Sequence, residues 1–551
     1  MRSRKSGVGR QKSAAYAVVT AIVAWGVLAF GAVYPWSYWP LLAGCAAAGV
    51  VVAVDRHARA RVPRSIVAGL AVLAGAVLLQ LTPLPVELVA RVSPVTTEVL
   101  ARYDLQFAAR SHGLIDSAGQ AAWWLRLQPF SIDPARTRMG LAFIVAFGVL
   151  LLAVAATVDG WIEALVRTVV GLGVTIAVIA LVQKAVGSDQ IYGFWTPQSA
   201  DAHPFGPFVN RNHFAGWMLM AIPLGFGYFI GLVDRAAATV KPAWHARLVW
   251  LSTPAGSGLV AVGFALSVMT MSVLFSLSRS GVVALAVALL ALAWRAVRKV
   301  GGRPVIGAYV GAVAVVCIGW AGTDTLASRF DEFQSAGLGG RAAVWRDGWT
   351  VARSFPIAGT GLNTFGQAML FFQTSDPAEH FAEAHDDYLQ LAGEGGLLVS
   401  GAALLVLTLL VRETRRRFQE RADDATGYWI RVGAVTGLAA IGLQEISDFS
   451  LQMPGNAALC CVLAGIAIRR RRNDRRAGAA TPATGGFVQT CPKCSSPRVH
   501  RSRAKTRAEE VWKCLRFKQL HRCHACGWRG WGKTSSFTSN LRLPAKQKSG
   551  I

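Results

Sequence analysis

The stretch RMGLAFIVAFGVLLLAVAAT (138–157) contains no charged residue after Arg138. An α-helix needs about 20 predominantly apolar residues to cross the hydrocarbon core of a bilayer, so this stretch is long enough to span a membrane. The whole chain has the same character, because 53% of its 551 residues are hydrophobic and only 16% are charged. This composition excludes an ordinary soluble enzyme and predicts a protein that lies mostly in a membrane.

Similar apolar runs recur along the chain, and together they predict an all-α polytopic membrane protein with about 12 transmembrane helices. The first run follows a basic N-terminus and lacks an obvious small-residue cleavage site, so we expect a retained helix rather than a removed signal peptide. The candidate spans lie near residues 14–34, 36–54, 65–82, 138–157, 161–184, 213–233, 257–277, 281–295, 304–322, 389–411, 428–444 and 452–468.

Basic loops indicate how the chain is oriented, because lysine and arginine collect on the cytoplasmic side of membrane proteins. Alternate connections are basic, as in DRHARARVPR (55–64), RAVRKVGGR (295–303) and RETRRRFQER (412–421). This pattern predicts that both termini face the cytoplasm and that the longest loop, 323–388, faces outward. Much of the net charge of +27 lies in the inner loops and the C-terminal tail, so topology and anionic membrane lipids explain it without nucleic acid.

A second domain is predicted after the last span. A linker at 471–486 contains AGAATPATGG and leads to a module at 487–535 with the pairs CPKC (491–494) and CHAC (523–526). Two such pairs are typical of a four-thiolate zinc site, the alternative being disulfides or redox thiols. The reducing cytoplasm favours structural zinc, in a small zinc-ribbon-like domain that docks a cytoplasmic partner. The surrounding Arg and Lys would also suit RNA, but a zinc ribbon alone does not establish RNA binding. The predicted zinc ligands are Cys491, Cys494, Cys523 and Cys526.

Three arginines lie on the predicted outer side, against the positive-inside bias. They are Arg211 in GPFVNRNHFAGW (206–217), Arg279 in SLSRSG (276–281) and Arg341 in GGRAAVWRDGW (339–349). A guanidinium grips an anionic headgroup or a diphosphate through two parallel hydrogen bonds, so the three together predict an anionic ligand. Taken singly, each arginine is equally explained by an ion pair with a loop carboxylate or by snorkelling to the membrane surface.

The stretch AEAHDDYLQLAGEGG (382–396) places one histidine among four carboxylates at the end of the large loop. A nearby carboxylate orients an imidazole and raises its basicity, which suits His385 to act as general base for a hydroxyl nucleophile. The alternative is that His385 is salt-bridged at a helix start, where acidic residues suit the helix dipole. A divalent cation is least favoured, because Asp386 and Asp387 are adjacent and adjacent helical residues do not share a face.

Together with GGRAAVWRDGWTVARSFPIAGTGLNTF (339–365) and SDFSLQMPGNA (447–457), these motifs resemble the O-antigen ligase and polymerase superfamily of bacterial envelope glycosyltransferases. The resemblance covers roughly residues 130–470. It implies a type-C glycosyltransferase fold, an undecaprenyl-diphosphate-linked glycan as donor, and transfer on the periplasmic side without a catalytic metal. It also implies that Arg211, Arg279 and Arg341 bind the donor diphosphate and that His385 is the base. Asp386 departs from the family, which often has Asn there.

The resemblance therefore implies an inverting glycosyltransferase of the bacterial inner membrane, similar to an O-antigen ligase, with a lipid or glycan as acceptor. A polymerase of the same superfamily is the alternative. From other classes, a polytopic transporter is expected to have paired halves, and we find no clear internal repeat; a sensor or scaffold based on the zinc module rarely needs so many spans. The predicted domains are 1–130 with N-terminal helices and an outer loop, 131–470 with the ligase-like region, and then the linker and zinc module.

Overall fold

The structure is a computed structural model, and it falls into two compact units, Met1–Arg472 and Asn473–Ile551. Most of the larger unit and a small part of the second are described. The described residues are 2–111, 127–197, 202–239, 249–300, 310–313, 315, 338–374, 380–420, 425–470, 493–494, 499–502, 509 and 518–533.

The larger unit is helical. Its helices, in chain order, are α1 (Arg2–Leu28), α2 (Pro35–Val54), α3 (Arg56–Arg59), α4 (Arg64–Leu81), α5 (Val86–Val92), α6 (Pro94–Tyr103), α7 (Leu105–Ser111), α8 (Pro134–Thr157), α9 (Ile162–Val186), α10 (Arg211–Thr239), α11 (Pro254–Ser276), α12 (Arg279–Val300), α13 (Leu338–Ser354), α14 (Phe365–Phe372), α15 (Asp387–Gln419), α16 (Ala425–Gln444) and α17 (Pro454–Ile468). A short antiparallel pair joins β1 (Leu84–Pro85) to β2 (Leu127–Gln128).

Eight helices within the described part are long and apolar enough to cross a membrane: α2, α4, α8, α9, α10, α11, α12 and α15. This confirms the predicted all-α polytopic membrane fold. Shorter apolar segments, Ser13–Leu28 and Pro454–Ile468, coincide with two further candidate spans. The total of about 12 spans stays a prediction, because the candidate at 304–322 lies mostly outside the described residues.

Helix α10 lies at the centre of the bundle, since 83% of its apolar segment is buried against 28% for α2. It packs most extensively against α16, and glycines make that approach close. A Cβ added to Gly433 would lie 2.4 Å from the carbonyl oxygen of Pro223, and one added to Gly227 would lie 2.4 Å from that of Trp429. Small residues on facing helices allow such backbone contact in membranes, where van der Waals packing drives helix association.

Helix α15 continues past the apolar run that predicts it at 389–411 and ends at Gln419. Its last turns are charged, and the buried Arg417 pairs there with Glu413 one turn earlier, which supports helix beyond the apolar run. Nearby, the buried Arg469 pairs with Asp159 at 2.6 Å, and its backbone oxygen accepts a hydrogen bond from Arg431. These buried arginines tie the ends of α15, α16 and α17 to the turn after α8.

The second unit contains an antiparallel sheet of three strands in the order β3–β4–β5. They are β3 (Val499–Arg501), β4 (Lys518–Cys523) and β5 (Arg529–Lys533). Strands β4 and β5 are joined by the CHAC pair, whose backbone turns between Cys523 and Trp528. The arrangement brings one predicted cysteine pair to the connection between two strands.

Candidate functional site

His385 lies two residues before the start of α15 and has a left-handed backbone, with φ of +52°. The next residue, Asp386, is the N-cap, and its carboxylate accepts hydrogen bonds from the backbone N–H groups of Tyr388 and Leu389. Asn and Asp cap helices about equally well. Capping therefore accounts for an Asp at position 386.

The imidazole of His385 is largely buried against Phe449, edge to face, with ring centroids 4.7 Å apart. Its Nδ1 atom is buried and has no hydrogen-bond partner among the described residues. Burial, the larger cause, and the positive charge of Arg341 together lower the pKa of His385 to about 4. A histidine with a pKa below its usual 6.5 is neutral at pH 7, so His385 can accept a proton.

Arg341 lies on the first turn of α13 and donates a hydrogen bond from Nη1 to the backbone oxygen of Ser447, at 3.1 Å. Burial raises the pKa of the neighbouring Asp448 to about 6, and the positive charge of Arg341 is among the causes that oppose this rise. One guanidinium therefore acts on both His385 and Asp448. The structure thus brings together two of the four predicted site residues, Arg341 and His385.

The other two predicted arginines begin neighbouring helices. Arg211 is the first residue of α10 and the exposed Arg279 is the first of α12. A Cβ added to Gly281 would lie 2.7 Å from Cβ of Ala215, so the first turns of these helices are in contact. The positive end of a helix dipole favours an anion, and both helices begin with an added cation.

A cavity of about 290 Å³ lies beside Arg211. It is formed by the end of α9, the loop before α10 and the end of α11, and its lining includes Lys184, His203, Arg211, Ser276 and Leu277. Leu277 is two residues before Arg279, which places the cavity at the α11–α12 turn. The cavity is a candidate place for one anionic group of a substrate.

The connection between α16 and α17 joins the start of α10 to His385. The side chains of Gln444 and Ser450 donate to the backbone oxygen of Asn212, and Asn456 donates to that of His213. The same connection supplies Phe449 to His385 and a backbone oxygen to Arg341. The motif SDFSLQMPGNA (447–457) is therefore the segment that links the two pairs of predicted residues.

Two further acidic residues, Asp448 and Glu445, and a second histidine, His213, lie in this region and are not among the predicted site residues. Nε2 of the buried His213 lies 4.0 Å from Asp448 Oδ1, and the His213 ring also contacts Phe449, again at 4.7 Å. Burial raises the pKa of Glu445 well above its usual range, and the adjacent Asp387, to which it is hydrogen-bonded, contributes to that rise. The signal was present in the motifs, since His213 lies in GPFVNRNHFAGW and Asp448 in SDFSLQMPGNA.

Glu394 and Gln80 fix the loop at 356–364 beside the site. Glu394 accepts hydrogen bonds from the backbone N–H groups of Asn363 and Phe365, and Gln80 donates to the backbone oxygens of Ala358 and Glu394. The loop fits into a break in α15, where Gly396 has a φ of +53°. The motifs PIAGTGLNTF (356–365) and AGEGG (392–396) therefore pack into one another. Glu394 helps to position α13 and α14 and is not seen to contact His385.

Three of the four predicted zinc ligands lie together in the second unit. The ligand atoms of Cys494, Cys523 and Cys526 are all within 4.8 Å of one another, and the Sγ atoms of Cys494 and Cys523 are 3.7 Å apart. A disulfide would require about 2.05 Å, whereas thiolates around one zinc at about 2.3 Å are separated by nearly the observed distance. The cluster can therefore hold a metal; Cys491 lies outside the described residues.

A comparison with family models finds a match to the O-antigen ligase family over residues 264–406. The matched segment contains Arg279, Arg341 and His385 and ends before the α16–α17 connection; Arg211 precedes it. The match supports the O-antigen ligase superfamily that the motifs resemble, and a membrane-embedded role in glycan assembly. No curated protein matches the chain.

Proposed function

We propose that the protein is a membrane glycosyltransferase that moves a glycan from an undecaprenyl-diphosphate carrier to an acceptor hydroxyl. The observation that carries this proposal is the meeting of His385 and Arg341 at one segment, where His385 packs on Phe449 and Arg341 donates to Ser447. Both His385 and Arg341 lie inside the stretch that matches O-antigen ligases. The reaction takes place on the periplasmic face of the bacterial inner membrane, with both termini cytoplasmic. The alternating basic loops support this orientation.

In the proposed reaction, His385 removes the proton from the acceptor hydroxyl as the oxygen attacks the anomeric carbon. The bond between that carbon and the diphosphate oxygen breaks, and the electron pair leaves with the lipid diphosphate. Attack from the face opposite the leaving group inverts the anomeric centre. Because the pKa of His385 is lowered first by burial and then by Arg341, an anionic donor that neutralises Arg341 makes the histidine more basic when the substrate is bound.

In the proposed reaction, the three arginines bind the donor diphosphate and stabilise its charge. Arg341 is close enough to His385 to act electrostatically on it, and Arg211 and Arg279 begin helices whose first turns touch. Guanidinium groups and helix N-termini stabilise the charge that develops on the leaving diphosphate. Loss of one preorganised donor of this kind costs roughly 3–4 kcal/mol of transition-state stabilisation.

The acceptor distinguishes a ligase from a polymerase. Deleting the gene and resolving the surface glycans by gel separates them: a ligase leaves lipid-linked polymer unattached, and a polymerase leaves single repeat units. A transporter from another class would leave the glycan pattern unchanged, and that result would refute the proposal. Addition of the purified protein to lipid-linked glycan and acceptor then tests transfer directly.

For the second unit, we infer that Cys491, Cys494, Cys523 and Cys526 hold one structural zinc. The thiol donor set and the separation of Cys494 and Cys523 fit a tetrahedral Cys₄ site. The backbone N–H of Ala525 also donates to Cys523 Sγ at 3.4 Å, as expected for a thiolate ligand whose charge is stabilised by the backbone. Zinc would crosslink the two cysteine pairs, and the domain would present its surface to a cytoplasmic partner.

A further inference from the structure

Six buried polar atoms without hydrogen-bond partners lie on the α16–α17 connection and on the residues that contact it, within the part of the chain that the structure describes. All belong to the start of α10, to His385 itself or to the stretch from Gln444 to Asn456. They are His213 Nε2, His385 Nδ1, Gln444 Oε1, Glu445 Oε1, Asp448 Oδ2 and Asn456 Oδ1. Buried polar atoms are nearly always satisfied, and ordered water commonly satisfies those that other protein atoms do not.

Two histidines and one carboxylate surround a single aromatic ring in this region. His385 and His213 each contact the Phe449 ring edge to face, at 4.7 Å. Asp448 precedes Phe449 in the chain and is fully buried, and its Oδ1 lies 4.0 Å from His213 Nε2. The Phe449 N–H holds this carboxylate by donating to Oδ1 at 2.9 Å, which leaves Oδ2 available.

The two ring nitrogens of His385 are not equivalent. Nδ1 is buried without a hydrogen-bond partner among the described residues, so the proton transfer is assigned to the other ring nitrogen, Nε2. A neutral histidine that accepts a proton at Nε2 carries its own hydrogen on Nδ1. That Nδ1–H needs an acceptor, and the acceptor decides which tautomer is present.

We propose that Asp448 and His213 are positioning residues for His385, and that Asp448 accepts the Nδ1–H of His385 through an enclosed water molecule. His213 holds the Asp448 carboxylate and Phe449 in place from the side of α10. The charged and titratable groups around the pair are Arg341 on α13, Glu445 on the α16–α17 connection and Asp387 at the start of α15. Arg341 opposes the formation of an imidazolium at His385, whereas the Asp448 carboxylate favours it.

This arrangement deepens the proposed transfer reaction. The acceptor proton moves to His385 Nε2, the new carbon–oxygen bond forms, and the diphosphate leaves with its electron pair. The resulting imidazolium keeps its hydrogen on Nδ1, where Asp448 stabilises it through the water. It then loses the Nε2 proton to the departing diphosphate or to outer water, and the starting tautomer is restored.

The decisive experiment is ¹⁵N NMR of histidine-labelled full-length protein in lipid nanodiscs at pH 7, with the His385 signals assigned from a His385→Asn variant. The wild-type protein should show His385 with its hydrogen on Nδ1. Asp448→Asn should convert this into a mixture of tautomers, because an amide, unlike a carboxylate, can donate to the bridging water as well as accept from it, and the water can then donate to Nδ1. Asp133→Asn is the matched control, since Asp133 also accepts backbone N–H groups as the N-cap of α8; it should leave the tautomer unchanged.

Kinetics provide the second measurement. Asp448→Asn should lower kcat by about 100-fold, within the range of general-base effects, and leave the KM for the lipid-linked donor within about 2-fold. His213→Gln keeps Asp448 but removes its neighbour, so it should lower kcat and weaken the tautomer preference in the same direction.

A hydrogen on Nε2 of His385 in the wild-type protein would overturn the inference, and so would an unchanged tautomer in Asp448→Asn. If Asp448→Asn does not fold, the wild-type spectrum and His213→Gln decide, and an unchanged tautomer in His213→Gln then counts against the inference. Only the kinetic measurement rests on the proposed function. A protein without transferase activity but with the expected tautomers would refute the function and leave the positioning intact.

Discussion

His385 illustrates what the sequence shows of a single residue and what it does not. Its place among carboxylates before an apolar run makes it a candidate base. The alternative, a histidine salt-bridged at a helix start, matches in position only, since α15 begins two residues later and the structure shows no ion pair of His385 among the described residues. The sequence cannot show which carboxylates it faces. The Asp386 carboxylate caps α15. Phe449 contacts the His385 ring, and the acid next to Phe449 is Asp448, 63 positions after His385 in the chain. Only the fold brings such distant residues together.

The first prediction concerns the charge of Arg341. Because Arg341 is a cause of the lowered pKa of His385, Arg341→Ala should raise that pKa, though not to 6.5, since burial is the larger cause and remains. The general base must be neutral, so the acid limb of kcat/KM should move to higher pH in this variant. NMR titration of the His385 ring measures the pKa directly. Arg341→Lys should keep the low pKa but weaken donor binding, since lysine lacks the bidentate grip.

Arg346→Ala is the control, because Arg346 is an exposed residue of the same helix. It should leave both the pKa of His385 and donor binding unchanged. A His385 pKa in the Arg341→Ala variant equal to or below the wild-type value would refute the electrostatic account.

The lowered pKa of His385 also affects the stability of the fold. Below pH 6.5 the histidine binds a proton in the unfolded chain but not in the folded protein. His385 therefore destabilises the fold progressively as pH falls from 6.5 to about 4.

At the scale of elements, apolar runs predict where helices lie better than where they end. The run near 389–411 predicts α15, but ion pairs extend the helix to Gln419 and Gly396 breaks it where the 356–364 loop docks. Neither effect has a signal in hydrophobicity. The contact between α10 and α16 is likewise not predicted from the sequence. Its glycines recur at a spacing of four residues, Gly227 with Gly231 on α10 and Gly433 with Gly437 on α16.

The second prediction tests that helix contact. Gly433→Ala places a methyl group 2.4 Å from a backbone oxygen of α10, and a backbone cannot yield as a flexible side chain does. The variant should be less stable by about 1–3 kcal/mol, as for other overpacked cores. Thermal unfolding of the purified protein in one detergent measures the change.

Gly401→Ala is the matched control in a different helix, since nothing lies within 4 Å of the added methyl. Alanine favours helix over glycine, so this variant should be unchanged or more stable by up to about 1 kcal/mol. Equal stability of both variants would contradict close packing of α10 on α16.

At the scale of the whole molecule, composition and loop charge predict a membrane protein, and the eight described spans confirm this. The order of the motifs predicts the O-antigen ligase superfamily, and the family match over residues 264–406 supports it. Topology across the membrane stays a prediction, since hydropathy gives no sidedness and only the basic loops do. Cysteine-accessibility labelling of a probe at residue 336 tests it: labelling from outside supports the proposed orientation, and labelling only from inside contradicts it.

The third prediction concerns the second unit. Purified full-length protein should contain one zinc per chain by elemental analysis, and a chelator should release it, because metal binding and folding of such modules are coupled. Cys494→Ser and Cys523→Ser should each lose the zinc. Cys45→Ser is the control, since Cys45 is buried in α2 and should not affect metal content. Full zinc occupancy in the Cys523→Ser variant would refute the site.

The central claim is that His385 performs chemistry, and it is tested most directly by transfer in vitro from purified lipid-linked glycan to acceptor. His385→Ala and His385→Asn should insert into the membrane and bind donor normally; the second variant is included because Asn tolerates the positive φ at this position. His380→Ala, at an exposed histidine five residues earlier, should transfer at the wild-type rate. We predict that both His385 variants lose about 10²–10⁴-fold in turnover, as expected for loss of a general base. Retention of more than about a tenth of wild-type turnover, far above that range, would show that His385 is a structural residue.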